Sequence, residues 1–408
     1  MTRNLPGYRA VASALRMTTE RLVREIAEPQ RFAPGWDPFE WAVARAVCAM
    51  HGISGLLAAR LHWRGPEGWQ DFLRQQRAET AAQFARAGQL LAQLDQLLGN
   101  EGIPFVALKG SAIRTLQLHE PGDRPQADID LLVHPDDLAR TGAALSLIDY
   151  ELILSKRREV TYAPKHCTVA DALGEHPANP LKIELHARVS EELPVEAVDI
   201  TSSLFPAHVK PGANPYPSLA ALMRHTCLHA AGNMRVNAMR FLQIWEIAQL
   251  SRRLSDADWC ELAGEGRAIR RSWWLYPPLA IAARYVPGSV SPQWLAALHP
   301  VCPRRLRRRY ARVRVYDVSW SNLRIAALPG HEWSRTPLQV LRLARNRVWP
   351  SRVARAELDA ILRTTPQLTQ LPWYGVSHLE RIARWTFTRP PRVQTMSAVS
   401  MALRETTP

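Results

Sequence analysis

The spacing of apolar residues predicts helices in the first hundred residues of the chain. Residues 37–62 and 69–98 repeat apolar side chains three or four positions apart, which is the period of an amphipathic helix. The second segment would be about 45 Å long at 1.5 Å per residue. It ends at 100–102, where an asparagine and a glycine favour a helix stop. We therefore predict a helical N-terminal region over residues 1–100.

The pattern changes over residues 101–212, where short apolar runs alternate with loops and short helices. Helices are expected within 109–119 and over 135–150. Strands are predicted at 103–108, 127–133, 150–154, 159–164 and 181–189. Strands and helices mixed within about a hundred residues indicate an α+β domain with a mixed sheet.

Two further regions follow, a helical one over residues 213–300 and an arginine-rich one over residues 301–408. The second has 20 arginines, no lysine and six acidic residues, so it carries +14 of the chain's net charge of +15. A solvated basic face and an arm for an anionic partner both fit that charge. Apolar residues at helical spacing favour instead a C-terminal helical layer packed on the rest: Leu338, Val340, Leu341, Leu343, Val348, Leu358, Ile361 and Leu362.

Two aspartates, Asp128 and Asp130, lie in the otherwise apolar run ADIDLLV. In a strand, alternate side chains point to the same face, so both carboxylates project together while Ile129 and Leu131 point the other way. Burying such a pair is costly unless a cation compensates it. Mg²⁺ takes one or two protein carboxylates and fills its other positions with water and phosphate oxygens. The pair therefore predicts a site for a metal-bound polyphosphate.

The residues around this pair supply the other groups that a triphosphate needs. Lys109 and Arg124 bring positive charge. The small-residue turn Gly110-Ser111 offers backbone N–H groups and a hydroxyl to an anion. Glu184, on the polar face of a later strand, would be a third carboxylate and would complete a two-metal site.

These residues resemble the nucleotidyltransferase superfamily with the polymerase-β-like fold, and more closely an uncharacterised bacterial nucleotidyltransferase family. The resemblance covers most of residues 85–360. It rests on LKG at 108–110, Arg124, DIDLLV at 128–133, ELH at 184–186, LH at 228–229 and RFL at 240–242.

The resemblance implies a polymerase-β-like core that transfers an NMP group from an NTP, such as ATP, to a hydroxyl or phosphate of an acceptor. Acceptors in the family range from small molecules to peptides, including peptide natural products. Two Mg²⁺ ions, or Mn²⁺ in their place, are the expected cofactors. The expected site residues are Asp128, Asp130 and Glu184 for catalysis and metal binding, Lys109, Gly110, Ser111 and Arg124 for the nucleotide, and His186, His229 and Arg240 for the acceptor pocket.

Two other classes of protein stay open at this point. One is a non-catalytic nucleotide-binding or interaction protein on the same fold. The other is a nucleic-acid-binding protein that uses the basic C-terminal region, where interleaved aromatic residues would suit base stacking. Nucleic acid is not favoured, because no known recognition motif accompanies those residues. The aromatic residues in question are Tyr310, Tyr316, Trp320, Trp333 and Trp349.

The remaining features of the chain favour a cytoplasmic protein. No apolar run is long enough to span a bilayer. The first residues lack the apolar stretch of a secretory signal. The five cysteines stand alone without a C-x-x-C, which favours a reduced compartment and neither disulfides nor a zinc site.

Overall fold

The computed structural model describes residues 7–156, 158–167, 170–264, 266–352, 354–356, 359, 377–387 and 391–405. Within these residues the chain forms eight strands and sixteen α-helices. The mixed sheet and the surrounding helices confirm the predicted α+β class.

The first hundred residues are mostly helical, as their apolar spacing predicts. Helices α1–α4 span Tyr8–Ala27, Pro38–His51, Ser54–Arg60 and Glu67–Asn100. The single helix predicted over 37–62 is wrong, because Gly52 adopts a φ of 65° and turns the chain between α2 and α3. The helix predicted over 69–98 is confirmed as α4, which has 34 residues. No single helix of the described residues is long and apolar enough to cross a membrane, and only α2 and α3 together meet that test, bent by 112°.

Six strands form one mixed sheet at the centre of the chain. Strands β1–β8 span Pro104–Ala107, Asp128–Val133, Tyr150–Ser155, Glu159–Pro164, Lys182–His186, Ser190–Glu192, Ala197–Asp199 and Gly212–Asn214. The order in the sheet is β3-β4-β5-β2-β1-β8, while β6 and β7 form a separate ribbon. The pairs β2–β5 and β1–β8 are parallel. All five predicted strands form, and the three unpredicted ones are three residues long, too short for an alternating pattern to show.

The two faces of the sheet meet different surroundings. Ile129 and Leu131 of β2 point into an apolar core that is shared with α4 and with α6, which spans Leu138–Ser146. The opposite face carries Asp128 and Asp130, as the strand period predicts. It meets the short helix α5, Gly110–Thr115, and the helices that follow the sheet.

The described residues that follow the sheet are mostly helical and join the N-terminal helices in a second apolar core. Its helices α7–α16 span Leu219–Arg235, Phe241–Ser251, Asp256–Ala263, Tyr276–Tyr285, Pro292–Leu298, Arg304–Tyr310, Val315–Val318, Pro337–Val348, His378–Phe387 and Val393–Arg404. Helix α16 packs against α2, so the end of the described chain returns to its beginning.

The arginine-rich region packs through residues other than those predicted. Leu338 and Leu341 of α14 are 74% and 67% exposed, whereas Val340, Leu343 and Val348 are half-buried, so the predicted spacing marks a buried face only in part. The last three residues of the predicted set, 358, 361 and 362, lie outside the described residues. The buried apolar residues of this region include Leu306, Tyr310, Val315, Trp333 and Val399. Spacing alone cannot show which helices bury apolar residues, and among the described residues of this region they are α12, α13 and α16.

Candidate active site

Three acidic side chains project from the neighbouring parallel strands β2 and β5. Asp128 and Asp130 lie in β2, and Glu184 of β5 stands directly opposite Asp130 in the register. Residues in register on adjacent strands point to the same face of a sheet. All three line one cleft of about 350 Å³ between the sheet and the helices α7 and α8.

Asp130 is 5% exposed and keeps its negative charge through two donors. Lys109 Nζ donates to Asp130 Oδ1 at 3.0 Å, and His186 Nε2 lies 2.8 Å from the same oxygen. Because a carboxylate only accepts, the ring nitrogen carries a proton and donates it. Burial would raise the pKa of Asp130, but Lys109 and His186 outweigh burial and hold it well below its usual range. No donor in the described part of the chain contacts Oδ2, so this oxygen can bind a cation.

Asp128 is half-buried, and its carboxylate makes no hydrogen bond or ion pair with any other residue that the structure describes. Burial and the neighbouring charge of Asp130 raise its pKa, and the positive charges of Lys109 and Arg240 offset part of this rise. A carboxylate without an ion-pair partner is stabilised more by a bound cation than a carboxylate that is already paired.

Glu184 completes the acidic face and is held mostly protonated when no cation is bound. Burial, then the charges of Asp130 and Asp128, raise its pKa to about 8. One ligand atom from each of Asp130, Glu184 and His186 lies within 4.8 Å of the others, a spacing that suits a single metal ion. Asp128 lines the same cleft but is not a member of this group.

Lys109 is directed at the acids by a strained backbone. Its φ is +47°, a conformation that costs a residue other than glycine on the order of 1–3 kcal/mol. The Lys109 N–H donates to the hydroxyl of Tyr216 at 3.3 Å, and that hydroxyl lies 2.7 Å from His225 Nδ1. Opposite charges on Asp130 and Asp128 raise the pKa of Lys109 in spite of its burial, so the amine stays charged.

The guanidinium of Arg124 lies directly over Gly110. A Cβ atom on Gly110 would be 2.3 to 2.5 Å from guanidinium atoms, so any other residue would displace Arg124. Arg124 Nε donates to Glu246 Oε1 at 2.7 Å. Burial would raise the pKa of Glu246, but Arg124 and His119 lower it to about 2. The positive charge of Arg124, which is predicted to bind the nucleotide, is therefore partly neutralised by the buried Glu246.

Ser111 lines the cleft but has protein partners. Its side chain is buried, and its hydroxyl accepts a hydrogen bond from Gln126 Nε2 at 3.1 Å. The same amide donates to the carbonyl oxygen of Asp128 at 3.1 Å. The Ser111 N–H donates to the carbonyl of Leu108 at 3.2 Å. The Ser111 hydroxyl, which was expected to receive an anion, thus holds Gln126 beside the acids.

The residues expected in the acceptor pocket separate into two places. His229 and Arg240 line the cleft opposite the sheet. His186 lies behind Asp130 and lines a smaller adjoining cavity of about 100 Å³, together with Lys109 and His229. Burial and the charge of Lys109 lower the pKa of His229 to about 3, so its ring is neutral near pH 7.

Four residues at or beside the site were not among those expected from the sequence, and a fifth, Trp320, was expected only as a base-stacking residue of a nucleic-acid-binding protein. Glu246 carried a readable signal, because it is the one acid in the apolar helix FLQIWEIAQLS. Gln126 and Tyr216 act through contacts that the sequence does not show. Burial and the charge of Asp128 raise the pKa of Glu175, and Arg240 offsets part of this rise. Trp320 enters the cleft from the arginine-rich region.

The fold and the acidic cleft agree with a transferase of phosphorus-containing groups, and a family model defines the class. The model described as an uncharacterised nucleotidyltransferase matches residues 37–287, so the chain belongs to that family and is a nucleotidyltransferase. Enzymes of this kind generally use a divalent metal ion and an NTP. No curated protein and no solved structure matches the chain significantly. The match includes every predicted site residue and ends before Trp320.

Proposed function

We propose that the chain transfers an NMP group from an NTP to a hydroxyl or phosphate oxygen of an acceptor and releases pyrophosphate. The observation that carries this proposal is the register of β2 and β5, which puts Glu184 opposite Asp130 and leaves Asp128 unpaired beside them among the described residues. Lys109 is the only lysine or arginine of the described chain that forms an ion pair with any of the three acids. Such an excess of negative charge suits Mg²⁺, or Mn²⁺ in its place.

The three acids would hold the metal ions, and the donor set fits them. Asp130 is ionised and oriented by His186, and its Oδ2 is available. Glu184 must lose its proton before it can act as a ligand, because burial and its acidic neighbours raise its pKa to about 8. When bound, such ions activate the attacking oxygen and stabilise the leaving pyrophosphate.

The cationic residues of the cleft would bind and orient the substrates. Arg124 is fixed over Gly110 by Glu246, which makes it a rigid donor rather than a mobile one. Lys109 keeps Asp130 ionised and places a second positive charge beside the acids. The helices α7 and α8 supply the opposite wall, where His229 provides a neutral ring to an acceptor.

Labelled NTPs test the reaction. The full chain is incubated with Mg²⁺, with acceptors from several chemical classes, and with an NTP labelled on either the α- or the γ-phosphate. We expect the α-label to appear on an acceptor and the γ-label to appear in pyrophosphate, with the added NMP mass confirmed by intact mass analysis. Transfer of the γ-label to an acceptor would contradict the proposal, because that is a kinase reaction.

The Asp130→Asn variant is the matched control for this experiment. It should abolish both the transfer of the α-label to the acceptor and the release of the γ-label in pyrophosphate, while the variant stays folded. If the variant kept its activity, the reaction would have to be catalysed by another part of the chain.

A further inference from the structure

The aromatic residues of the arginine-rich region have very different surroundings. Tyr310 and Trp333 are fully buried, and Tyr316 is 6% exposed, so these three belong to the core. Trp349 is 68% exposed and does not line the cleft. Trp320 is half-buried and lines the cleft that the three acids share. Of these five residues, Trp320 alone is placed to meet a substrate.

A parallel bridge places Trp320 beside Arg240. Met239 pairs with Ser319, the Met239 N–H donates to the carbonyl of Val318 at 3.2 Å, and the Trp320 N–H donates to the carbonyl of Met239 at 3.3 Å. Arg240 and Trp320 each follow a bridged residue, and both line the cleft. In the part of the chain that is described, the Arg240 guanidinium forms no ion pair, so its charge is available to an anion.

Buried hydrogen bonds hold this bridge in place. Ser321 Oγ lies 2.8 Å from His51 Nε2 and accepts a hydrogen bond from Thr19 Oγ1 at 2.7 Å. His51 Nδ1 accepts a hydrogen bond from the N–H of Phe241 at 3.0 Å. Burial lowers the pKa of His51 to about 3, so the ring is neutral and its one proton is on Nε2. The residues that follow Arg240 and Trp320 are thus tied to one histidine, which fixes the two side chains relative to each other.

Arg392 supports the Trp320 ring from behind. Its guanidinium carbon lies 4.9 Å from the ring centroid, and Arg392 is 8% exposed and is not part of the cleft lining. Arg392 Nη2 donates to the carbonyl of Val236 at 3.1 Å, and Thr395 Oγ1 donates to the carbonyl of Trp320 at 2.6 Å. The indole therefore has one face covered by a fixed cation and meets the cleft with another surface.

We propose that Trp320 and Arg240 form the nucleotide subsite of the cleft, where Trp320 stacks on the base of the NTP and Arg240 binds its phosphates. The inference rests on the proposed function, and it gives Arg240 a role other than the acceptor role expected from the sequence. Every nucleobase offers a flat π surface, so a supported indole binds bases with little regard to sequence. The arginine-rich region thereby takes a direct part in substrate binding.

The affinities of two ligands distinguish the contribution of the base from that of the phosphates. The full chain is titrated, with Mg²⁺ present, with α,β-methylene ATP and with inorganic tripolyphosphate, which lacks a base. We expect Trp320→Leu to weaken the nucleotide about 5- to 150-fold, the range of one lost stacking contact, and to leave tripolyphosphate unchanged. Trp320→Phe should keep most of the nucleotide affinity, and Arg240→Gln should weaken both ligands.

Trp349→Leu is the matched control, because it makes the same substitution at an exposed tryptophan outside the cleft. Equal loss of both ligands in Trp320→Leu, or no loss of either, would overturn the base subsite. A wild-type chain that binds tripolyphosphate as tightly as the nucleotide would overturn the subsite alone. A wild-type chain that binds neither ligand with Mg²⁺ would overturn the proposed function itself.

Photolabelling of the wild-type chain gives a second test that does not depend on a folded variant. An ATP analogue with an azide on its adenine should label the peptide that contains Trp320, and excess tripolyphosphate with Mg²⁺ should reduce the labelling. Labelling confined to other parts of the chain would overturn the proposal.

Discussion

The two walls of the cleft are built in different ways. The sheet wall carries Asp128, Asp130 and Glu184, which the register of two adjacent strands brings together. The helical wall carries Arg240 and Trp320, which a bridge between distant segments of the chain brings together. The first wall follows from a local pattern, and the second exists only once the chain has folded. Removing residues should therefore affect the two walls differently.

Deletion of residues 301–408 should have the largest effect, because it removes Trp320 and much of the core behind the helical wall. Burial contributes about 25 cal/mol per Å² of apolar surface, so the loss exceeds the net stability of a domain. We expect insoluble or molten protein, measured by solubility and by thermal unfolding. A truncated chain with a sharp transition and unchanged NTP binding would show instead that the region is an electrostatic arm.

Substitution of the two aspartates should abolish turnover alike but change stability in opposite directions. Asp128→Asn and Asp130→Asn should each lower turnover at least about 100-fold, since even residues that only support a metal ligand account for 10- to 100-fold. Asp128→Asn relieves repulsion and should hold or raise the free energy of unfolding of the metal-free protein. Asp130→Asn leaves the charged Lys109 without its partner, so it should lower the free energy of unfolding by about 1–3 kcal/mol. Equal shifts in denaturant unfolding would contradict the charge pattern described for the sheet wall.

The raised pKa of Glu184 should make the metal-free protein less stable at high pH, where the folded protein loses this proton. Its pKa is about 8 when folded, against an ordinary value of 4.5. The folded state therefore holds a proton that the unfolded state has released, and this contribution is fully present below about pH 4.5 and lost as pH rises through 8. Between pH 5 and 8.5 the melting temperature should fall in the wild type and fall less in Glu184→Gln.

The exposed Glu151 on β3 offers a control for this pH series, since Glu151→Gln should leave the slope unchanged. Glu175 is a poor control, because its carboxyl interacts with Asp128. Added Mg²⁺ should flatten the wild-type slope. Identical slopes in the wild type and in Glu184→Gln would mean that Glu184 is ionised in the metal-free site.

Gly110→Ala should have the smallest effect, because the atoms in the way are the guanidinium end of one side chain, Arg124, and not backbone. We expect the KM for the NTP to rise about 3- to 10-fold with little change in kcat or melting temperature, measured by steady-state kinetics. Adding Gly110→Ala to Arg124→Ala should change nothing further, since the two substitutions act on one guanidinium. Additive effects on KM would show that Gly110 acts independently of Arg124.

The sheet wall was predictable because its signals are local. An acid in an apolar run stands out, the strand period gives its direction, and the long periodic helix α4 was equally visible. The three short strands and the exposure of Leu338 and Leu341 were not predictable, because they depend on tertiary packing, whereas the break at Gly52 had a local signal in the glycine itself. Glu246 could have been found as a lone acid in an apolar helix. Nothing local distinguishes Trp320 from the buried Tyr310 and Trp333.

Crystals of the full chain grown with Mn²⁺ and a non-hydrolysable NTP would show whether the three acids bind the metal ions of the reaction. The anomalous signal of manganese identifies the ions and distinguishes them from water molecules. We expect peaks within about 2.0–2.6 Å of carboxylate oxygens of Asp128, Asp130 and Glu184, with the triphosphate on the same ions. Manganese bound elsewhere, or a triphosphate that binds in the cleft while the three acids stay unliganded, would contradict this expectation.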